Sequence, residues 1–130
     1  MHKAVQPEGW PRPKGYANGV LAQGATLFVA GQIGWNEKEQ FDSDDFVAQT
    51  EQALKNIVAV LTAGGAKPEH IARMTWYVTD KQDYLSRLPE IGAIYRKVLG
   101  PVYPAMSLVQ VAALVEDRAK LEIEATAVVP

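Results

Sequence analysis

Two carboxylates stand out as groups that could do chemistry. Glu122 and Glu124 lie in the apolar run Leu121–Val129, with Lys120 just before them. Successive side chains of a strand point to opposite faces, so residues 120, 122 and 124 share one face. A carboxylate in a partly desolvated cleft can hold and pass a proton near neutral pH, which is general acid–base work. The ordinary reading of such a strand face is a solvated one, with Lys120 as a salt-bridge partner.

The other reactive residue types are sparse. His70 follows Pro68 in a polar turn and reads as a surface residue, and His2 lies near a terminus expected to be mobile. Two separated histidines and no cysteine leave no transition-metal ligand set, so neither metal nor cofactor is expected. Ser43, Ser86 and Ser107 lack a nucleophile-elbow context, and Gly15, Gly19 and Gly24 do not match a phosphate loop. Tyr16, Trp35, Trp76 and Tyr77 could stack on a flat ligand, although aromatic residues more often pack in cores and interfaces.

The elements that must position Glu122 follow from punctuation and periodicity. The first 19 residues, with prolines at 7, 11 and 13, read as an irregular arm with a short strand near its start. Val20–Gln23 and Thr26–Ile33 read as two strands around the turn residue Gly24, and Gly31 marks a bulge or a close backbone approach. Trp35–Gln40 is a polar loop. Ser43 and Asp44 open a helix whose stripe is Phe46, Ala53, Leu54, Ile57, Val58 and Leu61, stopped by Gly64-Gly65. Lys67–His70 is a turn, and Ile71–Thr79 is a strand rich in β-branched and aromatic residues. A second helical region in Asp80–Leu99 is interrupted at Pro89, with its main part after it and a stripe of Ile91, Ile94, Tyr95 and Val98. Gly100-Pro101 ends it. Ala105–Leu114 and Ala119–Val129, around Glu116-Asp117-Arg118, read as a closing hairpin. The sum is one α+β domain over residues 1–130, a mixed sheet packed by two helices.

The strands do not alternate cleanly. Met106, Leu108, Ala112 and Leu114 fall on one face, and Ala105, Val109, Val111 and Ala113 on the other. Two helices cover only one face, so the uncovered face is expected to be buried by other copies of the chain; the alternative is the N-terminal arm folding over it. The 130 residues are 48% hydrophobic and 22% charged, ordinary for a globular domain. Net charge is −2, from 13 basic and 15 acidic residues without runs of either sign, so no footprint for nucleic acid or an anionic membrane is expected. No apolar run approaches the roughly 20 residues of a membrane span. The absence of cysteine and of an apolar leader fits a cytoplasmic protein.

Gly15-Tyr16, LFVAGQI over Leu27–Ile33, the helix with Gln52, Leu54 and Asn56, the strand Ile71–Val78, Pro104-Ala105-x-Ser107-x-Val109-x-Val111, and LEIEATA over Leu121–Ala127 occur in order. This set resembles the Rid family, also called RidA/YjgF or endoribonuclease L-PSP-like, over nearly the whole chain. The resemblance implies a chorismate-mutase-like α+β fold and a homotrimer with a central barrel of sheets. It also implies small-molecule clefts between subunits and deamination of enamines and imines such as 2-aminoacrylate. An arginine in the family's Pro-Ala-Arg-Ser motif grips the substrate carboxylate through two parallel hydrogen bonds. Met106 stands at that position here, Leu108 where cysteine is frequent, and Ala30 where serine precedes Gly-Gln. Gly92 aligns with a family asparagine. Tyr16, Gly31 and Glu122 carry over, Glu122 as the group that places or activates water.

Losing an ionic hydrogen-bond partner costs about 1.5–3 kcal/mol, and the first basic residue after position 106 in the sequence is Arg118. A small 2-imino acid should therefore bind poorly. A cleft of Ala30, Met106 and Leu108 suits a larger, less polar ligand. Three functions follow as expectations. They are hydrolysis of an imine without an adjacent carboxylate, ligand binding without turnover, and ribonuclease activity, which the charge disfavours.

Overall fold

The computed structural model describes residues 2–130. A two-stranded antiparallel ribbon joins β1 (Lys3–Val5) to β2 (Gly19–Leu21). The main sheet holds β3 (Ala25–Ile33), β4 (Ile71–Val78), β5 (Ala105–Gln110) and β6 (Leu121–Val129) in the order β3-β6-β4-β5. Helix α1 (Phe46–Ala63) packs on β3 and β6 and beside α3 (Leu88–Leu99), which follows the short α2 (Lys81–Leu85). The α+β class expected from the sequence is thus found.

Helix α1 forms where its stripe predicts. Phe46, Ala53, Leu54, Ile57 and Leu61 are buried, Val58 only partly, and Gly64 caps the end. A Leu or Ile buried this completely stabilises the fold by about 1.5–3 kcal/mol. The N-cap is Asp45, one or two residues beyond the expected Ser43 and Asp44. Its carboxylate accepts from the Ala48 N–H at 3.0 Å, while Ser43 Oγ accepts from the Asp45 N–H at 2.9 Å. Pro89 stands in the first turn of α3, where a missing N–H costs nothing. Ile91, Tyr95 and Leu99 are the buried residues of α3, and Ile94 and Val98 are half-buried.

The closing hairpin is not there. β4 lies between β5 and β6, pairing parallel with β5 (Met74 beside Met106, Trp76 beside Leu108) and antiparallel with β6 (Tyr77 beside Glu122, Thr75 beside Glu124). β5 ends at Gln110, so Ala112 and Leu114 belong to a crossover spanning residues 111–120. That crossover closes over the end of β4 through Val111 N–H to Val78 O (2.8 Å) and Thr79 N–H to Lys120 O (3.2 Å). Two adjacent strand-like runs with a polar break read as a hairpin locally; the non-local partner β4 wins because it satisfies both. Gln49 fixes the crossover from α1. Its buried amide donates to Ser43 O and Arg118 O, both at 3.0 Å, and accepts from the Lys120 N–H at 2.9 Å.

The first strand pair also differs from expectation. β2 pairs with β1 and not with β3, and Gly24 redirects the chain into the main sheet at φ +146°, a conformation that favours glycine. His70 is buried, not on the surface: its Nδ1 accepts the Lys67 N–H at 3.0 Å. His2 is held by a 2.8 Å bond from its Nε2 to His70 O, so the expected mobile start is tied down.

One face of the sheet carries the core: Met74, Trp76 and Val78 of β4 with Leu121, Ile123, Ala125 and Ala127 of β6. The other face presents Phe28, Ala30, Arg73, Thr75, Tyr77, Glu122, Glu124 and Thr126, and Phe28 is 77% exposed. The arm does not fold over it. It runs to the β5 edge, where Ala17 forms a parallel bridge to Ala105 and its N–H donates to Pro104 O at 3.0 Å. Among the described residues no helix is long and apolar enough to cross a membrane.

Candidate functional site

Glu122 and Gly31 meet on the open face. The β3–β6 register slips between Val29 and Gln32, a bulge at the position where Gly31 predicts one. There the Glu122 side chain lies across the Gly31 backbone so closely that a Cβ built on Gly31 would stand 2.1 Å from Oε2 and 2.7 Å from Cδ. Only glycine leaves that space. Ala30, the other bulge residue, lines a shallow depression on this face with Phe28, Arg73, Thr75, Glu124 and Thr126.

The two carboxylates are distinguished by their partners. Glu124 Oε1 accepts the Tyr77 hydroxyl at 2.8 Å, and this bond raises the Tyr77 pKa. Among the described residues Glu122 has neither an ion pair nor a hydrogen-bond partner within the chain. Lys120, expected as a salt-bridge partner, makes none; its backbone serves Gln49 instead. Glu122 thus has a free, half-buried side chain against the half-buried Gly31 backbone, where a carboxylate can orient a water and act as a general base.

The remaining residues singled out in the sequence lie elsewhere in the chain. Met106 and Leu108 share a sheet face with Met74 and Trp76 and pack against the edge of the core, opposite to the face of Glu122. Tyr16 stands at the β5 edge, 41% exposed, beside Tyr103 and Arg96. A single chain therefore brings Ala30, Gly31 and Glu122 together on its open face and places Tyr16, Met106 and Leu108 along the β5 edge. Arg118, the first cation after Met106 in the sequence, is committed elsewhere. It pairs with Asp44 at 2.9 Å, lies over the Phe41 ring at 5.3 Å, and belongs to the crossover, beyond the far end of β5. Of the aromatic residues, Trp76 is core, Trp35 packs on Phe41 at 5.9 Å between centroids, and Tyr77 stands on the open face.

Sequence reasoning missed two arginines near these residues. Arg73 sits on the open face, and the Arg-x-Thr-x-Tyr alternation of β4 carried that signal. Arg96 lies beside Tyr16, and its guanidinium folds over Gly92: a Cβ there would be 3.3 Å from Nη1. Among the described residues no three His, Asp or Glu side chains gather as a metal-ligand group.

Comparisons with known proteins agree on kinship. The family model described as Endoribonuclease L-PSP matches residues 11–129. The chain is 35% identical over 132 residues to a 2-iminobutanoate/2-iminopropanoate deaminase of Escherichia coli K12, covering 98% of each. It is 32% identical over 128 residues to a RutC family protein of Pyrococcus horikoshii, again covering 98% of each. Among solved structures, a Rid family protein of unknown function, YyfB from Yersinia pestis, matches with a TM-score of 0.87 at 31% identity, over 98% of each chain. E. coli TdcF with bound serine matches with a TM-score of 0.69 at 32% identity, over 98% of this chain and 99% of that one.

Proposed function

The chain belongs to the Rid family of endoribonuclease L-PSP-like proteins, and from that premise we propose that it hydrolyses an imine or enamine larger or less polar than 2-aminoacrylate. The observation that carries the reading is the unpaired Glu122 carboxylate lying against Gly31. Glu122 takes a proton from a water that attacks the C=N carbon. The proton passes to nitrogen, the carbinolamine collapses, and ammonia leaves with a carbonyl product. Imine hydrolysis needs little beyond a placed water and one proton-transfer group.

The cleft in this proposal lies between subunits of a homotrimer. A second copy would bring the β5 edge of one chain, with Tyr16, Met106 and Leu108, up to the Ala30, Gly31 and Glu122 of another. The exposed Phe28 and Val109 of the open face fit such a contact. Methionine at 106 and leucine at 108 supply no charged partner for a carboxylate next to the C=N bond, which moves the substrate class toward ketimines and enamines lacking one.

The test is ammonium release from a panel of imines generated in situ by an amine or amino-acid oxidase. Turnover of imines without an adjacent carboxylate, abolished in Glu122→Gln, is expected. An unchanged rate in Glu122→Gln refutes the mechanism. The second reading, ligand binding without turnover, is favoured by Met106 itself, because the grip of the family arginine is gone. It predicts thermal stabilisation by imine or ketone analogues with no ammonium released.

A further inference from the structure

A hollow of about 730 Å³ lies away from the open face. It lies under the N-terminal arm, between the loop Gln6–Asn18 and the segment carrying Arg96 and Tyr103. Its charge is one-sided. Arg12, Lys14 and Arg96 line it, no Asp or Glu does, and among the described residues none of the three cations takes part in an ion pair. In a chain with 15 acidic and 13 basic residues, three unpaired cations around one hollow are a local excess, whereas the depression on the open face and the one beside the crossover each mix cations with carboxylates. Its remaining walls are aromatic: Trp10 is 60% exposed, Tyr103 49% and Tyr16 41%, so three large ring systems face solvent within one hollow. Exposed aromatic faces beside unpaired cations are what a flat anion needs, rings for its body and donors for its charge.

The hollow is built rather than incidental. β1 and β2 clamp the two ends of the arm, the Ala17–Ala105 bridge ties its exit to β5, and the Gln6 amide donates to Trp10 O (3.2 Å) and Pro11 O (3.0 Å). Asn18 in turn donates to Gln6 Oε1 at 2.6 Å. Arg96 reaches the cavity from α3 across Gly92, and a glycine inside a helix, ordinarily unfavourable, leaves room for the guanidinium there.

We propose that this cavity binds a small organic anion with a planar apolar body, its carboxylate or phosphate held by Arg96 with Arg12 and Lys14, and its ring between Trp10, Tyr16 and Tyr103. The cavity shares Tyr16 with the proposed cleft and rests on that reading only for the place of Tyr16 at its mouth. Because the cavity shares Tyr16 with that cleft, a substrate could lack a carboxylate beside its C=N bond and still carry a charge at its other end.

Calorimetric titration of the intact protein with phenyl phosphate, phenylacetate and the neutral benzyl alcohol tests this without turnover, so a failed deaminase assay leaves it standing. Saturable binding of one or both anions, absent for benzyl alcohol, is expected; which of them binds identifies phosphate or carboxylate as the group. Arg96→Gln should weaken that binding about tenfold or more, Arg96→Lys less, and salt raised from about 20 to about 200 mM should weaken it several-fold. Should Arg96→Gln lower the melting temperature, Arg12→Gln with Lys14→Gln reads the same charge requirement in the arm alone. The proposal is overturned if neither anion binds at millimolar concentration, if benzyl alcohol binds equally well, or if these variants bind like the wild type.

Discussion

The contact between Gly31 and Glu122 can be broken by one methyl group. In Gly31→Ala the new Cβ would stand 2.1 Å from Glu122 Oε2, where ordinary contact begins at 3.4 Å, so the carboxylate must retreat by about 1.3 Å. Gly31 is not among the residues with positive φ, so alanine meets no backbone penalty there. Glu122 is half-buried with no internal bond to lose, and its side chain can swing toward solvent. Two opposing effects on stability follow, a small strain and a gain of about 0.4–1 kcal/mol from a less flexible unfolded chain. The expected net change is within about 1 kcal/mol. Activity should respond far more strongly, since a misplacement of about 1 Å at a proton-transfer group costs on the order of 100-fold. The assay is ammonium release from the best imine of the panel, with melting temperature measured in parallel. The double variant Gly31→Ala/Glu122→Gln should be no slower than Glu122→Gln alone, because both changes remove the same interaction. A wild-type rate in Gly31→Ala, or fully additive losses in the double variant, would refute the role given to this contact.

Three other outcomes follow from the fold. Gln49→Ala removes three hydrogen bonds to buried or half-buried backbone groups and should cost about 3 kcal/mol in urea unfolding, with faster hydrogen exchange at the Lys120 amide. Asp45 is held below the usual carboxylate range by the Arg87 hydrogen bond first and the Ala48 N–H second. Its folded-state pKa being depressed, its contribution is present above its unfolded pKa and lost as pH falls through the folded one, so Asp45→Asn should flatten stability against pH below about pH 4. Met106→Arg, at the edge strand β5, should confer ammonium release from 2-aminoacrylate at a stability cost of about 1–2 kcal/mol; no gain with the fold intact would mean that arginine is not the missing part.

Much of the fold was legible because its signals are local. The α1 stripe, the Pro89 break, the β-branched run of β4 and the bulge at Gly31 each depend on residues a few positions apart. The hairpin misreading shows where this stops, since the partner of β5 lies 32 positions away and those of β6 lie 43 to 104 positions away, and the break at Glu116–Arg118 looks the same in a turn and a crossover. The alternation of Glu122 and Glu124 was readable; their difference was not, because it comes from Tyr77 in another strand. His70 looked exposed beside Pro68 and Glu69, yet its ring satisfies the turn's own backbone. The arm cavity left no periodic trace, being walled by irregular backbone and one arginine from a distant helix.

The placement of β6 has a consequence for how the chain is made. Residues 121–129 are synthesised after every other strand, yet they form an inner strand, with β3 on one side and β4 on the other. Until they emerge from the ribosome, β3 lacks the one sheet neighbour it has among the described residues and β4 one of its two, each with an open hydrogen-bonding edge. Such edges attract other chains. The nascent domain is thus exposed to misassociation until this strand emerges, and its sheet closes only when β6 slots in.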